Sequence, residues 1–259
     1  MAARRSRRYK DCVGAKQLYP MLVIDAGNTS VKFARVARRH AAPRLLATVA
    51  TAQLATSRVK AIVRSSGCAS ATASCVVPAV RQVLRAGCPS ITLIGKSTPL
   101  NFPAKVDRAT VGADRLANMA EAARRFGKSV VVADFGTAAT FDLLDGHGCF
   151  AGGAIAPGLR VLAKTLSEET AQLPVIELAP PSRAAGRNTR EALRAVVVGG
   201  YAGMVRHLLR GLPAKHVVFT GGDAALVAKL TGLKVTIDPL WSLKGISVLG
   251  DLAAREASK

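Results

Sequence analysis

Apolar runs rich in β-branched residues and bounded by turn residues lie at 21–26, 31–37, 60–64, 91–94, 129–134, 139–144, 216–220 and 234–238, and each predicts a strand. Helical periodicity occupies the stretches between them. From Asp114 onward, Leu116, Met119, Ala120 and Ala123 share one face, Arg124 and Arg125 complement the dipole of the last turn, and Gly127 is placed to end the helix. A second helix is predicted from Thr189 to Arg210, with Leu193, Val196, Val197, Gly200, Met204 and Leu208 on one stripe and Gly211 as terminator. Asn188 and Glu191 form a capping pair at its start. Strands mixed with helices over this length predict an α/β fold.

The strand pattern also repeats. LVIDAGNTSVKF, from Leu22, returns in chemical outline as VVADFGTAATFDLL, from Val131: a β-rich run, an Asp, one residue, a Gly, small residues, then a second β-rich run that includes a Phe. Asp25 and Asp134 stand 109 residues apart, the spacing of one half of a duplicated α/β protein. The reading is a pair of related domains, 21–127 and 128–252, preceded by an extension at 1–20 and followed by a tail at 253–259.

With 259 residues and 49% hydrophobic content the chain can bury a large core, and at 4% aromatic content that core must be aliphatic. Trp241 is expected inside it. No run approaches the roughly 20 apolar residues of a membrane span, and the amino terminus lacks the apolar core of a secretory signal, so a soluble protein is expected. Five scattered cysteines without a C-x-x-C pair suggest neither a disulfide framework nor a zinc site, which favours a reducing cytoplasm. The four histidines show no ligand spacing. Charge is lopsided, with 37 basic against 16 acidic residues and a net +21. Residues 1–20 contribute six basic side chains and one acid without apolar periodicity, and read as a disordered extension. The remainder is read as spread along the chain. With no basic stripe interleaved with aromatics, a solvated basic surface suited to an anionic substrate is expected rather than a specific nucleic-acid groove.

The two repeated turns carry the candidate chemistry. A glycine turn without bulky side chains lets a ligand approach the backbone, and successive amides make a nest for an anion. Asn28 and Thr29 in the first turn, and Thr137 and Thr140 in the second, offer further donors. Asp25 and Asp134 at strand ends suit a cation that neutralises phosphates, and Lys32 is in reach of the same charge. Gly152, Gly153, Pro157 and Gly158 place another bare backbone surface after the second turn, and Gly221-Gly222 forms a strand-to-helix turn against which a base or ribose could pack. VGADRLANMAEA, from Val111, sets Asp114 and Arg115 at a helix start behind Gly112 and Ala113. Beside a nucleoside triphosphate that carboxylate could accept a proton from a hydroxyl nucleophile, with Arg115 on an acidic substrate; as a plain N-cap it would do neither.

DAGNT at Asp25, GADR at Gly112, DFGTAATF at Asp134, GGAIAPGL at Gly152 and GRNTREA at Gly186, in this order, resemble type III pantothenate kinase, over essentially Met21 to Leu252. The resemblance implies an actin-like fold of the acetate and sugar kinase, Hsp70 and actin superfamily: two ribonuclease H-like domains with ATP in the cleft. It implies ATP-dependent phosphorylation of pantothenate to 4'-phosphopantothenate, the first step of coenzyme A synthesis, by a cytoplasmic homodimer that needs magnesium and potassium or ammonium. Carried over by residue, Asp25, Ala26, Gly27, Asn28, Thr29, Ser30, Val31 and Lys32 would bind the ATP phosphates and magnesium, and Thr137 would touch ATP. Asp134 would hold the monovalent cation. Gly112, Ala113, Asp114 and Arg115 would contact pantothenate, Asp114 as proton acceptor, and Thr189 would hydrogen-bond it. Two departures stand out: a tyrosine common about seven residues before GxDR is missing, and Ala139 replaces a threonine expected to face ATP. A nucleotide-binding regulator of the same fold, or a kinase of another small hydroxy acid, are the rival readings.

Overall fold

The computed structural model describes residues 18–259, so most of the extension read at 1–20 lies outside the described residues. One five-stranded sheet comprises β1 (Met21–Ala26), β2 (Ser30–Val36), β3 (Arg44–Ala50), β4 (Ser70–Cys75) and β5 (Thr92–Leu93), in the order β3-β2-β1-β4-β5. The other comprises β6 (Val130–Phe135), β7 (Ala138–Leu144), β8 (Phe150–Pro157), β9 (His216–Thr220) and β10 (Thr236–Ile237), in the order β10-β9-β6-β7-β8. Read from the third strand of each hairpin meander, the two orders are the same. In each, the first strand pairs antiparallel with its hairpin partner and parallel with the strand reached through helix. The repeated sequence pattern is therefore a repeat of topology.

Helices α1 (Thr56–Ser66) and α2 (Pro78–Gly87) cover the outer face of the first sheet. The outer face of the second carries α4 (Leu159–Glu168), α5 (Thr189–Arg194), α6 (Tyr201–Gly211) and α7 (Ala224–Thr231). Between the sheets lie α3 (Ala113–Phe126) and the last helix, α8 (Trp241–Glu256), which returns to pack on α3, β1 and β4. Strand alternation sorts the side chains among these layers. Met21, Val23, Ala34 and Val36 from one sheet and Val130, Val132 and Leu144 from the other meet Leu116, Met119, Trp241 and Ile246 in a central core. Leu22, Ile24, Val31 and Phe33 point the opposite way, as do Ala133, Phe135, Ala139 and Phe141. Continued by one step of two residues, the inward set arrives at Asp25 and Asp134.

Several expectations are corrected. The run at 60–64 is helical: Val59, Ile62 and Ser66 are buried at helix spacing within α1, so its β-branched residues line a helix face. Beyond the expected strands the sheets include β3, β4 and β8; SATASC and FAGGAIAP are dominated by Ala, Gly and Ser, and pairing with neighbours holds them extended. The helix from Thr189 is interrupted by a wide π turn at Ala195–Gly200, which shifts the stripe. Val197, Val198, Tyr201 and Val205 are buried, whereas Val196 is 73% exposed. Its cap is as expected, with Asn188 Oδ1 accepting from the Glu191 amide at 2.9 Å. Trp241 is fully buried, and the cysteines among the described residues are free thiols.

Charge is less even than a spread along the chain. Residues 18–112 contain 13 lysines and arginines but only two carboxylates, Asp25 and Asp107. Arg39 and Lys105 find partners only in Asp251 and Asp145 of the second half. Such self-repulsion destabilises the compact state. Raising ionic strength from about 10 to about 150 mM, which shortens the screening length from about 30 to about 8 Å, is expected to raise the thermal midpoint by a few degrees. Calorimetry across that series checks it, and a falling midpoint would contradict it.

Candidate active site

Two strand ends and one helix start supply the site. Asp25 is the last residue but one of β1, opposite Lys32 of β2, and Asp134 stands at the same place in β6 opposite Thr140 of β7, both on the inward faces. The first turns of α3 bring Asp114, Arg115 and Asn118 between them. The three carboxylates are partly open to the cleft yet densely surrounded by protein. Asp25 is pushed up to about 7, first by burial and then by Asp134 and Asp114, with Lys32 opposing. Asp134 is raised by burial, against the hydrogen bond from Asn118, and Asp114 raises it further. Burial also raises Asp114, opposed by the Arg115 amide, which donates to its Oδ1 at 2.8 Å, and by the Arg115 charge. One lysine faces three interacting acids, so the cleft favours an added cation.

Asn118 was not singled out in the sequence. It is 1% exposed, its Nδ2 donates to Asp134 Oδ2 at 3.0 Å, and its Oδ1 accepts from Ser242 Oγ at 2.8 Å. Trp241 Nε1 donates to its carbonyl at 3.0 Å, so α8 holds the residue that orients Asp134. The signal available was position, because Asn118 lies four residues after Asp114 on the same helix face.

The two glycine turns meet: Thr29 Oγ1 and Thr137 Oγ1 are 2.8 Å apart although 108 residues separate them. Not every residue of the Asp25–Lys32 segment reaches the cleft. Ala26 and Val31 put their side chains into the outer core, and the Gly27 amide is taken up by Ser30 O at 3.1 Å. Gly136 likewise donates to Ala138 O at 3.1 Å, so the anion nest is narrower than expected. A Cβ at Gly27 or Gly136 would make only ordinary contact, at 3.6 Å from Ser30 O and Ala138 O respectively, so no protein atom crowds either turn. The opposite holds behind the second turn. A Cβ on Gly158 would lie 2.1 Å from Gly136 O, and one on Gly221, whose φ is +89°, would lie 2.5 Å from Asp134 Oδ1. Gly221 is thus packed on Asp134 rather than held open for a base.

Other expected residues are placed as follows. Arg115 is tied back, with Nε and Nη2 of its guanidinium on Asp142 of β7. Thr189 opens α5, is exposed, and has no hydrogen bond to the cleft among the described residues. Ala139 faces the outer core with Phe135 and Phe141, so this position takes no hydroxyl away from the cleft; Thr140, one residue on, has the inward place. Seven residues before Gly112 stands Lys105, which pairs outward with Asp145 at 3.0 Å. Among the described residues no three His, Cys, Asp or Glu side chains are grouped to hold a metal by themselves. Asp25 and Asp134 are hard oxygen donors that fit magnesium or an alkali cation only if water or phosphate completes the shell.

Comparison with known proteins agrees with this geometry. Residues 21–211 match the family model described as type III pantothenate kinase. The chain is 40% identical to the type III pantothenate kinase of Methylacidiphilum infernorum over 168 residues, 62% of this chain and 61% of that protein. It is 39% identical to that of Roseiflexus castenholzii over 197 residues, 72% and 76% of the two chains. With that of Acidiphilium cryptum it shares 34% identity over 252 residues, 88% and 93% of the two. Among solved structures it resembles a Baf family protein from Campylobacter jejuni, with TM-score 0.61 and 20% identity over 88% of this chain and 96% of that one. It also resembles (R)-2-hydroxyglutaryl-CoA dehydratase component A from Acidaminococcus fermentans, with TM-score 0.55 and 15% identity over 92% and 99%. These two likenesses bear on the fold, which is the expected actin-like one. Matched by the family model across both glycine turns and the GADR helix start, the chain belongs to the type III pantothenate kinase family.

Proposed function

We propose that the protein transfers the γ-phosphoryl group of ATP to the primary hydroxyl of pantothenate, giving 4'-phosphopantothenate and ADP, the first step of coenzyme A synthesis. The observation that carries this is Asp114, a carboxylate held at a helix start between two glycine turns whose threonines touch. A regulator has no need of a carboxylate so placed.

The attacking hydroxyl gives its proton to Asp114 Oδ2, while Oδ1 is steadied by accepting from the Arg115 amide. Thr29, Thr137 and the free amides of the turns hold the phosphates in line with that hydroxyl, and Lys32 offsets their charge. Asp25 would hold magnesium through water and Asp134 the potassium or ammonium ion; bound there, these ions supply charge neutralisation. Asn118 keeps the Asp134 carboxylate turned inward. Residues 21–127 and 128–252 form the two halves of the clasp. A homodimer belongs to the same reading; Ile155 is 64%, Val175 70% and Val196 73% exposed, apolar side chains that a second copy would cover. No helix of the described residues is long and apolar enough to cross a membrane. A cytoplasmic setting fits the use of ATP.

Incubation of the full chain with ATP, magnesium and pantothenate, with potassium, ammonium or sodium, tests the reading by mass spectrometry of the product. Phosphopantothenate is expected with potassium or ammonium and far less with sodium. No product with any of the three, or preference for another hydroxy acid, would overturn it.

A further inference from the structure

Asp142 stands in the middle of β7 with no exposed surface, an unusual place for a carboxylate. Arg115 approaches it side-on: Nε donates to Asp142 Oδ1 at 2.9 Å and Nη2 donates to the same oxygen. The ring of Phe150 lies 5.7 Å from the guanidinium carbon. Gly153 is the β8 partner of Asp142, and a Cβ there would come within 2.8 Å of Oδ1, so the acid is seated where only glycine leaves room. Burial pushes Asp142 up to about 6 even though Arg115 opposes it. Oδ2 is buried without a hydrogen bond; the Thr140 hydroxyl is near enough to lower the acid slightly but lacks proper hydrogen-bond geometry.

A buried pair of this kind is poor at stabilising a fold, since an apolar pair of similar volume often does as well or better. What it does supply is orientation. With Nε and Nη2 both held on one oxygen, the guanidinium plane is set, and Nη1 has no hydrogen-bond partner among the described residues. The Arg115 charge is near enough to Asp114 to oppose the rise of its carboxyl, and Asp114 in turn acts on Asp142, so the three groups share one corner of the cleft.

We infer that Asp142 is a positioning residue that fixes Arg115 so that its Nη1 edge receives the carboxylate of the acceptor substrate. The inference rests on the pantothenate reading above, and its signature is selectivity for the carboxylate.

The test is steady-state kinetics at saturating ATP with pantothenate and with its analogue bearing CH2OH in place of the carboxylate. Asp142→Asn is expected to raise KM for pantothenate about tenfold, the scale of one charge-assisted hydrogen bond, with kcat within about threefold. KM for the alcohol analogue should move less than about twofold on the same reasoning. Arg115→Ala should give the same selective loss, and the double variant no more than either alone. An unchanged pantothenate KM in Asp142→Asn, or an equal rise for both substrates, would overturn the role. If Asp142→Asn does not fold, Arg115→Lys replaces it: loss of the side-on pair should again raise KM for the carboxylate substrate selectively, and a normal KM rejects the inference. Absence of pantothenate turnover in the unaltered protein would instead reject the functional reading.

Discussion

Asp114→Asn is expected to keep the fold and the affinity for ATP while lowering kcat by about 100-fold or more, the upper range for loss of a general base. The amide is isosteric and its oxygen still accepts from the Arg115 backbone, so position survives and proton acceptance does not. The pH profile makes the assignment specific. Only the ionised carboxylate can take the proton, and burial raises Asp114 above the usual Asp range. Activity of the unaltered protein should therefore fall with acid along a limb lying above the ordinary aspartate value of about 3.9. In the variant's residual rate that limb should become shallower, the part left belonging to Asp25 and Asp134, which burial also raises. Stability carries the opposite sign. A carboxylate whose folded pKa exceeds its unfolded one makes stability fall as pH rises from the unfolded value through the raised one. Asp114→Asn removes this burden, so at neutral pH it should be as stable as the parent or more so. Pre-steady-state phosphoryl transfer, nucleotide titration and urea unfolding measure the three quantities, and near-normal turnover would reject the role.

Gly245→Ala should have the largest effect on stability. Gly245 lies inside α8, where alanine ordinarily gains about 1 kcal/mol over glycine. Here a Cβ would stand 1.8 Å from Ala117 O and 2.5 Å from its carbonyl carbon, both backbone atoms of α3. Neither can rotate away, so the helices must part, and overpacking of about 3 kcal/mol exceeds the gain in propensity. The expected result is a net loss of about 2 kcal/mol and a thermal midpoint lower by about 5 °C. Because α8 also holds Asn118 through Trp241 and Ser242, turnover should fall with it. An unchanged midpoint in denaturant would show that the helices are not held in backbone contact.

The site was legible to the extent that its parts are local and duplicated. Asp25 and Asp134 could be paired from the repeat, and the alternation of buried residues along β1 and β6 shows why both face inward. The same alternation explains Ala139: the family pattern suggested a lost hydroxyl, but an odd position on β7 belongs to the outer core. Period-two reasoning applied to VVADFGTAATF would have placed Thr140, not residue 139, beside Asp134. The strand assigned to 60–64 failed because a short β-branched run carries no length signal to separate strand from helix face.

Within the chain, the sequence by itself determined the strand-turn-strand unit at each glycine turn, the Asn188 cap, the burial of Trp241, and the repeat that makes two half-sites. These depend on propensity and periodicity over a few residues, where neighbours along the chain are neighbours in space. Only the tertiary structure decided that Arg115 rests on Asp142, that Asn118 turns Asp134 inward, that α8 returns across the molecule to lie on α3, and that the two turns touch through Thr29 and Thr137. The hydrogen bonds in those contacts join residues 16 to 124 positions apart. They arise from how two twisted sheets close on the helices between them, and no local pattern encodes that closure.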